Sequence, residues 1–278
     1  MEEVFRQLLK RRADSHKYDF GHVLVVGGSP GMVGAPFLAA RAALRVGAGL
    51  VTIASSPEVT DKLEKRVEEI MTLALPPSKE LSAIEDFIKS RKVSVLVIGP
   101  GLKDVNLAKE LIQKINLPMI IDGGALNALQ GQSLQGQITG RKAVILTPHL
   151  GEFGRFFDEP LPKNQAGLKL IPAKFAQDNK VTLVLKGHPT YVAHPDGSLY
   201  VNTTGNPGLA TAGTGDVLSG IIAGIIAQGI EPAKAAEVAV YLHGLAGDLA
   251  AMDKTQPGLI ASDIIEYIPA ALKSLENK

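Results

Sequence analysis

From residue 22 to residue 147 the chain alternates between short runs of branched apolar residues and longer stretches whose apolar positions recur every three or four residues. Residues 22–26, 50–54, 93–98, 119–122 and 143–147 have the length and composition of buried strands. Between them, residues 35–46, 58–69, 81–90, 105–115 and 125–129 carry helical spacing, as with Leu38, Ala42 and Val46 in the first. Strand and helix in turn predict a mostly parallel central sheet with helices on both faces.

The rhythm changes in the last third. Residues 181–186 and 190–193 read as strands, and Asp196-Gly197 between Tyr191-Val192 and Leu199-Tyr200-Val201 is a hairpin signal. An antiparallel edge near residues 181–202 is therefore expected. Helices follow over 216–227, 233–251 and 262–275, and residues 1–12 mix charges with apolar positions as a short surface helix would. The polar stretch 158–165 reads as a surface connection, so residues 1–278 are expected to form a single α/β domain.

Composition narrows the class of function. With 45% hydrophobic residues the chain can bury a large core, and a formal charge of +1 supplies no bulk attraction to nucleic acid or an anionic membrane. Anion binding must therefore be local. The absence of cysteine removes disulfides, thiolate metal sites and thiol nucleophiles, and a cytoplasmic location is the expectation. The most apolar segment, 217–230, is interrupted by Ser219, Gly220, Gly224, Gln228 and Gly229, and reads as a buried helix rather than a membrane span.

In open parallel sheets ligands bind beyond the carboxyl ends of the strands, which directs attention to the glycine-rich turns. Four stand out: 27–34, 99–101, 147–152 and 204–216. In the last, Gly205, Asn206, Gly213, Thr214 and Gly215 lead into a long apolar helix whose first amides lack internal partners. Glycines there let a phosphate approach the backbone, and the helix dipole adds about 0.3–1 kcal/mol for a held negative charge. Asp216 can be a plain helix cap or a general base, and its local sequence leaves both open.

Two further turns carry chemistry. His149 and Glu152 follow a strand and can meet a substrate or a Mg²⁺-bound water, though a strand-to-helix turn with Glu152 as a first-turn charge accounts for them equally. Lys186-Gly187 ends another strand and can bring an ammonium to a phosphate, or point into solvent. Gly27, Gly28, Gly31 and Gly34 do not fit the dinucleotide fingerprint, and no P-loop sequence is present. The six histidines lack zinc spacing, and His243 on the Ala-rich helix reads as a packed core or surface residue and not a catalyst.

Taken in order, these turns resemble the stand-alone nucleotide-dependent NAD(P)H-hydrate dehydratases, a branch of the ribokinase-like superfamily. The resemblance is carried by His16-Lys17, Gly21 to Ser29, Gly34-Ala35, Gly47 to Val51, Ile98-Gly99-Pro100-Gly101-Leu102, Asp122 to Asn127, Thr147 to Phe153, Lys186-Gly187, Thr204-Gly205-Asn206 and Gly213-Thr214-Gly215-Asp216. Gly123 and Gly124 depart from it, standing where the family often has alanine and a second acidic residue. The resemblance implies a ribokinase-like fold and repair of NADH or NADPH to which water has added, the hydrates NADHX and NADPHX.

By matching positions it implies that Asp216 is the catalytic base and that Ala35, Gly101, His149 and Asp216 bind the hydrate. Lys186, Gly187, His188, Pro189, Thr190, Gly205, Asn206, Gly213, Thr214 and Gly215 would bind ADP or ATP, with Mg²⁺ on the phosphates and Glu152 reaching it through water. ADP is the expected nucleotide. The resemblance further implies a homo-oligomer, expected as a tetramer, and an epimerase acting from a separate chain. The competing readings are a ribokinase-like kinase of a small alcohol or vitamin precursor, and a nucleotide-binding sensor without turnover.

Overall fold

A computed structural model describes residues 1–130, 134, 138, 143–156 and 165–276. The expected surface connection over 158–165 falls almost wholly outside them. Among the described residues nine strands form one sheet: β1 His22–Val26, β2 Leu50–Ser55, β3 Met71–Ala74, β4 Val95–Ile98, β5 Met119–Ile121, β6 Val144–Leu146, β7 Thr182–Leu185, β8 Tyr191–Ala193 and β9 Leu199–Val201. Their order is β3-β2-β1-β4-β5-β6-β7-β8-β9, parallel as far as β7 and antiparallel from β7 to β8 and β8 to β9.

The strands are apolar at successive positions because both faces are covered. Val23 and Val25 of β1 join one buried cluster with the helices Gly34–Arg45, Thr214–Ala227, Pro232–Lys254 and Ala261–Ser274. Leu24 and Val26 point the other way, towards the helices Glu80–Arg91, Val105–Lys114 and Gln165–Asn179. Thr214–Ala227 is buried at every position from Val217 onward, which is why its apolar residues show no stripe.

Three elements differ from the sequence pattern. The helix expected over 58–69 stops at Leu63, and the chain then forms β3, a four-residue edge strand whose half-buried residues give little alternation to read. The short helix expected at 125–129 is a 3₁₀ helix, Gly123–Leu129. Helix Gln165–Asn179 has no counterpart in the expected elements, because Pro172 interrupts what would otherwise read as a helical run. No described helix is long and apolar enough to cross a membrane.

Since β1 to β7 are parallel, their carboxyl ends share one edge of the sheet. That edge carries Ser55, Asp122, His149 and Lys186, each just past or at a strand end. Helix Thr214–Ala227 packs beside it, against Gly34–Arg45 and the strands β1, β4 and β5.

Candidate active site

A buried carboxylate organises the centre of this edge. Asp122, only 2% exposed, follows β5, and its Oδ1 accepts a 2.9 Å hydrogen bond from Lys186 Nζ, while Oδ2 accepts one of 2.8 Å from Ser219 Oγ. Three elements thus meet on one side chain: β5, the end of β7, and the second turn of helix Thr214–Ala227. Burial works against charge on Lys186, but the charge and hydrogen bond of Asp122, with the carboxylates of Glu152 and Asp216 behind it, raise its pKa above the ordinary lysine value. Lys186 is therefore a fixed ammonium held at the strand end, not a solvated one.

The ammonium lies over the start of the helix. A Cβ added at Gly215 would sit 3.0 Å from Lys186 Nζ, so glycine is what allows this approach. Gly213 forms the N-cap at φ 91°, a left-handed conformation that glycine adopts without penalty, and no side chain caps the helix there. The first-turn amides, the dipole and Lys186 together make a local cation-like site on a chain of nearly neutral charge.

Asp216 occupies the third helical position, and its surroundings are unfavourable for charge. Burial first, and the nearby negative charge of Asp122 second, push its carboxyl up to about 7, with Lys186 opposing them. A carboxylate poised near neutral pH is suited to accept and return a proton. It does not act as the helix cap, since Gly213 holds that place and Asp216 lies three residues further on.

A cavity of about 500 Å³ opens beside the helix start. Lys186, Gly187, His188 and Thr190 form one wall, Gly205 and Asn206 another, and Thr214 and Gly215 its end. Pro189 lies between His188 and Thr190, and the His188–Pro189 peptide bond is cis. Most of the residues expected to hold a nucleotide are thus brought around a single cavity, with Gly213 next to them at the cap.

The residues expected to bind the second substrate lie along the same edge. Gly101 packs against helix Gly34–Arg45, its β position 3.2 Å from Ala35 Cβ, and one turn later Leu38 of that helix reaches the β position of Gly213. Ala35 and Gly101 are thereby connected to the helix start that bears Asp216. His149 joins from the other side through a parallel bridge to Lys186, with Lys186 N–H donating to Pro148 O at 2.9 Å. Its ring is committed locally: Nδ1 accepts from Gly151 N–H at 3.0 Å and Glu152 N–H at 3.2 Å, while Glu152 Oε2 accepts from His149 N–H at 2.8 Å. His149 and Glu152 form a reciprocal helix cap.

A comparison with protein families matches residues 23–270 to the NAD(P)H-hydrate dehydratase model. The chain belongs to the NAD(P)H-hydrate dehydratase family. It is 45% identical over 98% of its length to a bifunctional NAD(P)H-hydrate repair enzyme of Moorella thermoacetica, of which it covers 53%. The chain spans about half the length of the bifunctional relatives it matches and nearly all of a shorter one, the ADP-dependent (S)-NAD(P)H-hydrate dehydratase of Neisseria meningitidis, at 37% identity over 99% of this chain and 91% of that one. Among solved structures, the Bacillus subtilis ADP/ATP-dependent NAD(P)H-hydrate dehydratase co-crystallised with ATP/Mg²⁺ superposes with a TM-score of 0.83 at 31% identity, covering 99% of this chain and 98% of that one. More distant ribokinase structures, at 14–16% identity, share the fold.

Sequence reasoning gave no role to Asp122, which it met only within a motif, and missed two further residues of this family member's site. Ser219 reads in the apolar segment 217–230 as one of its interruptions, although its hydroxyl is buried on Asp122. Asp248 is the other: its Oδ2 accepts from Gly205 N–H and its Oδ1 from Asn206 Nδ2, both at 2.9 Å, tethering the glycine loop to helix Pro232–Lys254. An acidic residue among small ones, in Leu245-Ala246-Gly247-Asp248, was its available signal. His243 is a packing residue, as its sequence suggested, with Nε2 3.0 Å from Thr214 O and a pKa lowered by burial to about 4.

Proposed function

We propose that this chain dehydrates the S epimer of hydrated NADH and NADPH at the expense of ADP, restoring the reduced dinucleotide and leaving AMP and phosphate. One observation carries the reading. Asp216, with its carboxyl near 7, stands in the same helical turn as the amides, and beside the Lys186 ammonium over that turn, which together can hold the nucleotide's terminal phosphate. Hydroxide is a poor leaving group, and this juxtaposition converts it into phosphate. Asp216 takes the proton of the substrate hydroxyl as its oxygen bonds to the terminal phosphorus and the bond to AMP breaks. The phosphate ester then eliminates, with loss of the neighbouring ring proton, to form the carbon–carbon double bond.

Lys186 and the amides of Thr214 and Gly215 stabilise the charge that develops on the transferred phosphoryl oxygens, work for which one oriented donor is worth about 2.7–4 kcal/mol. Ala35, Gly101 and His149 hold the hydrate, and Gly205 and Asn206 hold the nucleotide from the opposite wall. The described residues contain no set of three His, Asp or Glu side chains that would bind a metal alone. Mg²⁺ would instead arrive on the phosphates, needing only one or two carboxylates and keeping several waters, one of which Glu152 would hold. Bound in this way, Mg²⁺ would neutralise phosphate charge.

Incubating the protein with hydrated NADH and Mg²⁺, with ADP or ATP, and following recovery of the reduced-nicotinamide absorbance tests the proposal; no recovery with either nucleotide overturns it. The kinase alternative predicts phosphorylation of a small alcohol instead. A tetramer, read by size-exclusion with light scattering, is the expected assembly. Relatives that join this unit to further sequence in one repair enzyme support a functional pairing with an epimerase.

A further inference from the structure

The wall of the nucleotide cavity that carries Gly205 and Asn206 is laid along helix Pro232–Lys254. Tyr241, Gly244 and Asp248 follow one another at spacings of three and four residues, which puts them on one face of that helix. Thr204 Oγ donates to Tyr241 O at 2.8 Å, and Asn202 Nδ2 closes the turn on Thr204 O at 2.9 Å. A Cβ at Gly244 would collide with the Thr204 hydroxyl and backbone, and one at Gly247 would meet Leu209 Cδ2 at 2.6 Å. Glycine inside a helix weakens it, and these two are what let the loop lie flat on the helix.

Asp248 completes this contact with both of its oxygens. Oδ2 accepts from Gly205 N–H and Oδ1 from Asn206 Nδ2, while Asn206 Oδ1 accepts from Gly208 N–H, all at 2.9 Å. Two donors arriving together need two acceptor atoms, which a carboxylate has and a carboxamide has not. The consequence for the cavity is specific. Gly205 N–H is committed to Asp248 and is turned away from any phosphate, and Asn206 is held by both ends of its amide. This wall therefore supplies shape, and the phosphate donors are left to Lys186 and the start of helix Thr214–Ala227. Asp248 stands behind the wall, whose cavity face is formed by Thr204, Gly205 and Asn206.

We propose that Asp248 is a positioning residue for the nucleotide: acting through Gly205 and Asn206, it holds the loop in its ligand-binding shape before ADP arrives, so that binding does not have to order it. The proposal rests on the nucleotide reading of the cavity, and its test separates the two. Hydrogen exchange reads the clamp without ligand; the Gly205 amide is expected to be protected in the free protein and to lose about tenfold or more of that protection in Asp248→Asn. ADP with Mg²⁺ is then titrated calorimetrically, and its affinity is expected to fall about tenfold in the same variant. The reciprocal variant Asn206→Asp/Asp248→Asn can form all three hydrogen bonds with donor and acceptor exchanged between the two positions, and is expected to return to within about threefold of the parent affinity. Urea unfolding of each variant completes the set, because a merely structural Asp248 would lower stability and leave the affinity of the folded protein unchanged. An unprotected Gly205 amide in the free parent, an unchanged ADP affinity in Asp248→Asn, or a reciprocal variant no better than the single one each overturns the proposal. A parent in which Gly205 is protected but ADP does not bind overturns the nucleotide reading, and the proposal with it, while leaving the clamp itself in place.

Discussion

Two consecutive helices of this chain begin in opposite ways. Pro232–Lys254 is closed by its own sequence: Glu231 accepts from Ala233 N–H at 3.1 Å and from Lys234 N–H at 2.9 Å. Thr214–Ala227 begins at Gly213, which has no side chain to offer, and Lys186 lies over its first turn. The first start satisfies its amides at the cost of being inert. The second leaves them for an outside anion and adds a cation above and a carboxylate beside them. Capping with glycine gives up about 1 kcal/mol or less of helix stability, and the forgone contact becomes available to a ligand.

The sharpest way to break this contrast is at Asp216. Asp216→Asn keeps the shape and removes the base, and turnover is expected to fall about 10²–10⁴-fold with nucleotide affinity nearly unchanged. Stability moves the other way. The folded carboxyl titrates near 7 and not at 3.8, so folding favours its protonated form. That contribution is complete below pH 3.8 and is lost as pH rises through about 7. Asparagine has no such penalty, so the variant should match the parent in acid and exceed it above neutrality, by at most about 4 kcal/mol. Chemical denaturation at pH 4 and pH 8 measures it; equal differences at both would show that the carboxyl is not perturbed. In the parent, kcat/KM should rise with pH through about 7 as the base ionises.

Lys186 is next in size. Lys186→Met leaves Asp122 buried with Ser219 as its remaining partner at 2.8 Å, and breaking a buried pair in this way costs about 3–5 kcal/mol. Adding Asp122→Asn should restore much of that stability but not nucleotide binding. Urea unfolding of the single and double variants checks it. If the double variant is as unstable as the single one, the ion pair is not what Lys186 contributes.

The sheet and its outer helices were legible because their apolar periods are strong, and so was the antiparallel edge, from Asp196-Gly197. The short edge strand Met71–Ala74 and the helix containing Pro172 were not, since neither keeps a clean period. At the site, glycines and strand ends announced which turns the fold brings together at one edge of the sheet. What they did not announce was the polar support: Asp122 paired to Ser219 across 97 positions, and Asp248 holding Asn206 across 42. Such pairs are set by tertiary packing, and no local pattern reports them. His149 and Glu152 illustrate the converse, because a cap and a ligand site share one local sequence.

Gly215→Ala probes the open start more gently. The added Cβ would lie 3.0 Å from Lys186 Nζ, the end of a flexible side chain that can withdraw by a few tenths of an ångström. The helix gains from alanine's propensity while the ammonium shifts off the anion site. Stability is expected to change by less than about 1 kcal/mol, and nucleotide affinity to fall about tenfold by calorimetry. An unchanged affinity would mean that the ammonium's position over Gly215 does not matter to the phosphate.

The smallest effect comes from the closed start. Glu231→Ala removes both cap acceptors from Pro232–Lys254 and should cost about 1 kcal/mol in urea unfolding. The same helix carries Asp248, which tethers Gly205 and Asn206, so a loosened helix could reach the nucleotide loop. Helix ends fray within about one turn, however, and Asp248 lies nearly five turns from the cap. Turnover and KM for the nucleotide should therefore stay within about twofold of the parent. A larger change in KM would show that the two helix starts are coupled through Asp248, and that the closed one also serves the site.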